Sequence, residues 1–233
     1  MYHVHVDALE RRALVGRSVV CPIDERSGAR LFNEVVVAFP TGHAPGQVHE
    51  SAETVCYCVS GEGAFWIAGV PYALRPGAVA HAPPRTEHHV EATSAEPLVL
   101  IAFSSPPVAP GSAPDLQPRS HDLPGPRRER GDFVRYVAEL PHVDRGGVTL
   151  VPLLRTERLR VELLRLVAGA GAHLGTTLGE ERVVHVLSGR GLVAGDREVH
   201  GGSVLLLRNG EATNLHADAE LAALTCVAPP GTA

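Results

Sequence analysis

Residues 158 to 195, RLRVELLRLVAGAGAHLGTTLGEERVVHVLSGRGLVAG, answer residues 30 to 69, RLFNEVVVAFPTGHAPGQVHESAETVCYCVSGEGAFWIAG, element by element. The match extends to Ser188, Gly189, Arg190 and Gly191 against Ser60, Gly61, Glu62 and Gly63. It continues in GGSVLLLRNGEATN against PGAVAHAPPRTEHH and in LAALTCVAPPG against LVLIAFSSPPV. An internal repeat of this length constrains the fold more than any local propensity, because two copies of one pattern must each close a similar core. Within the first copy the apolar runs are short: Thr54 to Val59, Ala64 to Ala68, Val79 to Ala82 and Pro97 to Phe103, with glycine or proline between them. Regularly spaced short strands of this kind read as a sandwich or barrel.

The chain is therefore expected to be all-β, with two similar β-barrels in tandem. Its 24 Gly and 19 Pro suit many short strands joined by turns. The prolines crowd between Ser104 and Gly131, SSPPVAPGSAPDLQPRSHDLPGPRRERG, where large apolar residues are too few to build a core. The expected boundaries are an N-terminal segment of strands over 1–30, a first domain over 31–104, a linker over 105–131 and a second domain over 132–230.

Charge narrows the partners. A formal charge of −5, with no basic run longer than Arg127-Arg128, lacks the basic stripe that nucleic acid requires. All 21 basic residues are Arg, so Schiff-base chemistry through lysine is excluded. No apolar run approaches membrane-spanning length and MYHVHVDALERR has no apolar leader pattern, so a cytoplasmic protein is expected. Cys21, Cys56, Cys58 and Cys226 form no CxxC pair, and disulfides are not implied.

Chemistry concentrates in GQVHESAETVCYCVSGEG, residues 46 to 63, and in RPGAVAHAPPRTEHH, residues 75 to 89. The first sets Gln47, His49 and Glu53 ahead of a β-branched strand closed by Gly61 and Gly63. The second carries a Pro76-Gly77 turn, a short strand, Pro83-Pro84 and then His88. This order of parts resembles the two signature motifs of the cupin superfamily, G-x5-H-x-H-x3-E-x6-G followed by a proline-glycine motif with one late histidine. Carried over residue by residue, His49, Glu53 and His88 match the family's ligands, and Gln47 stands where the first histidine is usual.

The resemblance implies two jelly-roll β-barrels and one divalent metal, zinc, iron, manganese or nickel, held by Gln47, His49, Glu53 and His88. Glu53 is then also a proton carrier, and strand alternation would place Tyr57 on the inner wall as a hydrogen-bond donor. His81 and Arg85 are expected at the substrate pocket. In the second copy Gly175, Thr177 and Thr213 replace ligand positions while Glu181 remains, leaving a pocket with Glu181 and His185 but no metal set. The expected function is a metal-dependent enzyme of the dioxygenase or isomerase/cyclase type acting on a small organic metabolite. The alternatives are a non-catalytic small-molecule-binding cupin or a hydrolase similar to the ureidoglycine aminohydrolases. Expected partners are a small-molecule substrate and a second copy in a homodimer, with no nucleic acid and no membrane.

Overall fold

The computed structural model describes residues 1–112 and 133–228. The expected linker lies outside the described residues from 113 to its end. Apart from three single-turn 3-10 helices, the regular elements are β-strands. No helix among the described residues is long and apolar enough to cross a membrane. The chain divides into two units. The first holds Glu10–Cys21 and Phe32–Glu139; the second holds Met1–Leu9, Pro22–Leu31 and Leu140 onward.

The first unit packs a seven-stranded sheet, in the order Val134–Tyr136, Ala78–Ala82, Glu53–Ser60, Leu98–Ser105, Asn33–Phe39, Arg17–Ile23 and Arg12–Leu14, on a four-stranded one. The smaller sheet runs Gly42–His43, His88–Ala92, Gly63–Ile67 and Val70–Leu74. The second unit repeats the topology. Its larger sheet runs Tyr2–His5, Ser203–Arg208, Glu181–Ser188, Leu221–Ala228, Arg160–Leu166, Val148–Arg155 and Val143–Arg145. Its smaller sheet runs Gly171–Gly175, Ala212–Ala217, Arg190–Val193 and Arg197–His200. The all-β, tandem jelly-roll expectation matches this architecture.

Alternation decides what each strand contributes. In Glu53–Ser60 the even positions Cys56 and Cys58 join Val37, Ala80, Leu100 and Ala102 in the core between the sheets, with Phe65, Ile67 and Val90 from the smaller sheet. In the second unit the same role falls to Leu164, Leu166, Val184, Val186 and Ala223, against Val193, Leu215 and Ala217. The shared Gly-x-Gly turn has a steric cause. Gly61 takes φ +79°, and a Cβ there would stand 2.6 Å from the Leu98 Cα. Gly189 takes φ +84°, and a Cβ would stand 2.0 Å from the Glu220 carbonyl oxygen. Only glycine serves at either place.

The first 31 residues are shared between the units rather than forming a block of their own. Tyr2–His5 pairs with Ser203–Arg208 as the edge strand of the second unit, whereas Arg12–Leu14 and Arg17–Ile23 extend the first unit's sheet. In Pro22–Leu31 the Asp24 carboxylate caps the turn Glu25–Ser27 by accepting the Arg26 N–H at 2.9 Å. The segment ends on Glu181, whose buried carboxylate accepts the backbone N–H groups of Arg30 and Leu31, each at 2.9 Å. Glu181→Ala should therefore destabilise the protein by about 2 kcal/mol, the scale of hydrogen bonds to a charged acceptor. The urea midpoint of this variant, set beside that of Glu198→Ala at an exposed position, measures the effect.

Candidate metal centre

The segment ahead of Glu53 is tied to the strand His88–Ala92. Ala44 N–H donates to the Val90 carbonyl at 2.9 Å, Gln47 N–H to the His88 carbonyl at 2.9 Å, and His88 N–H to the Gln47 carbonyl at 3.0 Å. The His49 carbonyl accepts the Arg85 N–H at 2.7 Å. These backbone bonds bring Gln47, His49 and His88 together on the wall of a cavity of about 100 Å³. Apolar side chains, among them Val19, Val35, Phe39 and Leu100, make up much of the remaining wall. The His49 and His88 ring centroids lie 5.4 Å apart, and the His88 ring stacks on Phe65.

Both imidazoles are kept neutral. Burial pushes His88 down to about 4; a hydrogen bond to the Thr86 carbonyl opposes this, and His49, His89 and Arg17 add to it. Burial also lowers His49. The His88 Nδ1 stands 3.1 Å from the Thr86 carbonyl oxygen. A carbonyl only accepts, so Nδ1 carries the proton and Nε2 keeps its lone pair.

The remaining expected site residues lie elsewhere. Thr54 and Cys56 line the cavity, so alternation turns Glu53 and Tyr57 to the opposite face of the sheet. Glu53 is buried there, with its Oε2 3.0 Å from the His81 Nε2. His81 is thus a partner of Glu53 rather than a pocket residue. Arg85 sits on an exposed turn, its Nε 3.7 Å from a Glu50 carboxylate oxygen.

The displacement is one residue long and has a readable cause. With six residues between, the E-x6-G part of the motif counts back from Gly61 to Thr54, while Glu53 counts to Ser60. Thr54 therefore stands where a ligand carboxylate was expected, and its hydroxyl is hydrogen-bonded to that of Ser104 at 2.9 Å. Among the described residues no group of three His, Cys, Asp or Glu side chains is placed to hold a metal.

Sequence reasoning also missed Arg17, Asn33 and Ser104, which line the cavity. Asn33 and Ser104 share an inward row with Thr54, through the pairs Asn33 with Ser104 and Thr54 with Ser104. No local signal marks Arg17, some thirty residues ahead of the motif.

Asn33 has a second duty. Its Nδ2 donates to the Val108 carbonyl at 2.9 Å and its Oδ1 accepts the Val108 N–H at 2.8 Å. This pins a strap, Val108 to Gly111, along the cavity. Asn33→Ala should raise the labelling rate of Cys56 by N-ethylmaleimide about tenfold, the effect of losing roughly 1.4 kcal/mol of hydrogen bonding that holds the strap shut. Cys58, buried on the same strand and pushed up to about 12 like Cys56, is the internal control by mass spectrometry. Equal acceleration at both thiols would mean general loosening instead of strap opening.

The comparisons with known proteins meet this geometry. Residues 35–104 match the family model described as a cupin domain. The first unit carries a cupin domain. No curated protein matches it in sequence. In three dimensions the chain resembles a serine-to-alanine variant of oxalate decarboxylase from Bacillus subtilis, with TM-score 0.78 and 14% identity, covering 99% of this chain and 78% of that one. It resembles a glutamate-to-alanine variant of the same enzyme with TM-score 0.78 and 13% identity, at the same coverage. A further structure of that decarboxylase, from work on its Mn(II) centers, gives TM-score 0.78 and 14% identity, again covering 99% and 78%. At such identities the likeness is one of fold.

The second unit carries a different inner row. Thr213 pairs with Leu174 as His88 pairs with Gln47, which moves the correspondence from Gly175 and Thr177 to Leu174 and Thr176. Arg182, seven residues before Gly189 as Thr54 is before Gly61, stands where Thr54 stands. Glu181 and His185 share the opposite parity and face away from the inner row, Glu181 on the Pro22–Leu31 segment and His185 buried. The expected Glu181 and His185 pocket does not form.

The donors of the first unit fit a divalent ion. Two neutral imidazoles bound side by side to one ion, with bonds of about 2.1 Å, hold their centroids roughly 5 Å apart. The observed spacing is 5.4 Å. Gln47 adds a neutral amide oxygen, and no described protein carboxylate joins the set.

Proposed function

We propose that the first unit is a metal-dependent cupin centre for a small anionic organic substrate, with His49, His88 and Gln47 as the metal ligands. One observation carries the reading. Two neutral imidazoles and an amide meet at a cavity that Arg17 lines and that no acidic side chain lines among the described residues. A divalent ion held by neutral donors keeps its full charge, and in an apolar cavity that charge calls for an anion. A carboxylate substrate supplies it.

When bound, the metal would act as a Lewis acid on a substrate oxygen and keep positions open for a second ligand. Arg17 orients the substrate carboxylate. The Thr54 and Ser104 hydroxyls, already paired, offer donors beside it, and the apolar wall excludes water. His89 lines the same cavity beside the ligands and is a further imidazole within reach of the substrate. We favour chemistry at the carboxylic acid itself, loss of CO2 or oxidation, supported by structural neighbours named for oxalate decarboxylase and studied for their Mn(II) centers.

A non-catalytic binding module is the second reading, and the outward turn of Glu53 is the observation in its favour. Metal content of untagged protein purified without chelators, followed by oxygen uptake with a panel of small mono- and dicarboxylic acids, separates the two. Near-stoichiometric metal with uptake or loss of a carboxylic acid supports the enzyme. A protein that stays empty when offered manganese, iron and zinc leaves the binding module.

A further inference from the structure

The inner row of the second unit is charged where that of the first is neutral. Arg160 and Arg182 flank Val227 on adjacent strands, through the pairs Arg160 with Val227 and Arg182 with Val227. In the first unit the same row reads Asn33, Ser104, Thr54. One step deeper, Thr225 lies between Glu162 and Val184. Below that the wall is apolar, with Leu164, Ala223 and Val186.

Arg182 crosses from the larger sheet to the smaller. Its Nε donates to the Gly175 carbonyl at 2.9 Å, and Gly175 follows Leu174, the cross-strand partner of Thr213. Among the described residues, Arg182 makes no further hydrogen bond, so its terminal nitrogens retain their donors. Three polar atoms in the same place are buried without a hydrogen-bond partner: Arg160 Nε, Thr213 Oγ1 and Thr225 Oγ1. Thr213 is 7% exposed and Thr225 1%. Arg160 Nε stands 3.6 Å from a Glu162 carboxylate oxygen, a charge contact beyond hydrogen-bond range. Glu180, at the half-buried rim, is engaged by the Thr177 N–H at 2.7 Å.

Buried donors of this kind are costly unless something accepts from them. The two guanidinium groups face the inner carboxylate of Glu162 and, at the half-buried rim, that of Glu180, and guanidinium matches carboxylate oxygens two at a time.

We propose that this row is a binding site for a small carboxylate monoanion, held by the terminal nitrogens of Arg182, by Arg160 and by the Thr213 and Thr225 hydroxyls. The site uses none of the residues assigned to the metal centre and needs no metal. Glu162 and Glu180 disfavour a dianion, which would add two negative charges where these carboxylates already face the guanidinium groups. Carboxylate and phosphate share the chemistry of a small oxyanion, and that charge balance separates them.

The test is hydrogen exchange by mass spectrometry on the full chain after dialysis against chelator. Sodium acetate, sodium phosphate and sodium chloride are compared at equal ionic strength. Acetate at ten times its dissociation constant should slow exchange about tenfold in the segments spanning Glu181–Ser188 and Ala212–Ala217. Chloride should leave them unchanged, and phosphate should protect less than acetate. Arg182→Gln should abolish the acetate effect, with Arg160→Gln as the second variant should the first fail to fold. Acetate protection no greater than that of chloride would overturn the site. Phosphate protecting more than acetate would overturn its assignment to a monoanion, and full protection in a folded Arg182→Gln would remove Arg182 from it. Because the protein is metal-free and the readout lies in the second unit, the outcome is independent of the first unit's activity.

Discussion

His88→Ala should bind manganese or zinc at least about a hundredfold more weakly than wild type, since losing a direct ligand exceeds the ten- to hundredfold typical of second-layer partners. His49→Ala should do the same. Glu53→Gln should change metal affinity less than about twofold, because its carboxyl lies on the far face of the strand with His81. Thr54→Glu is the converse: it places a carboxylate on the inward row, where Thr54 lines the cavity, and should tighten metal binding. Competition with a chromophoric chelator gives all four affinities in one format. Were Glu53→Gln to lose metal as completely as His88→Ala, the inward row would be the wrong one and the centre would have to be redrawn.

Acid should destabilise the metal-free protein through the same histidine. In the native state His88 stays neutral down to about 4, whereas in the unfolded chain it takes a proton near 6.5. Between those values the unfolded state binds more protons. The stability associated with neutral His88 is therefore fully present above pH 6.5 and is lost as pH falls through 4, by roughly 3 kcal/mol in total. His49 is lowered in the same direction and adds to the loss. Urea midpoints from pH 7.5 to 4.5, wild type against His88→Gln, isolate the effect. An identical pH slope in the two proteins would assign the acid sensitivity to other groups.

The repeat made the architecture legible before any coordinates. The Gly-x-Gly turns and the run of short strands follow from it and reappear in both units, whereas Thr213 takes the place of the late histidine in the second. The ligand strand was misplaced by one residue because Glu53 is the acidic residue nearest the motif and Thr54 is not acidic at all. Spacing to Gly61 held the answer, and residue type overrode it. The same slip turned Tyr57, His81, Glu181 and His185 inward on paper, since one step along a strand exchanges every face. Arg17 and the division of the first 31 residues between the units rest on pairings across long stretches of chain. Local pattern does not encode such pairings. Asn33 lay in a segment read correctly as a strand, but its bond to Val108 joins residues 75 apart.

The strap pinned by Asn33 separates how tightly the first unit binds from how quickly it exchanges. Were the strap to cover the way out, a ligand behind it would leave only as often as the two Asn33 hydrogen bonds break together, whatever its own affinity. Residence time is then set by the door and not by the room. Chelators would strip such a centre slowly even where equilibrium favours them, so protein fresh from cells would carry the ion it first met. Titrations read after minutes would report history, and only those followed to completion would report preference.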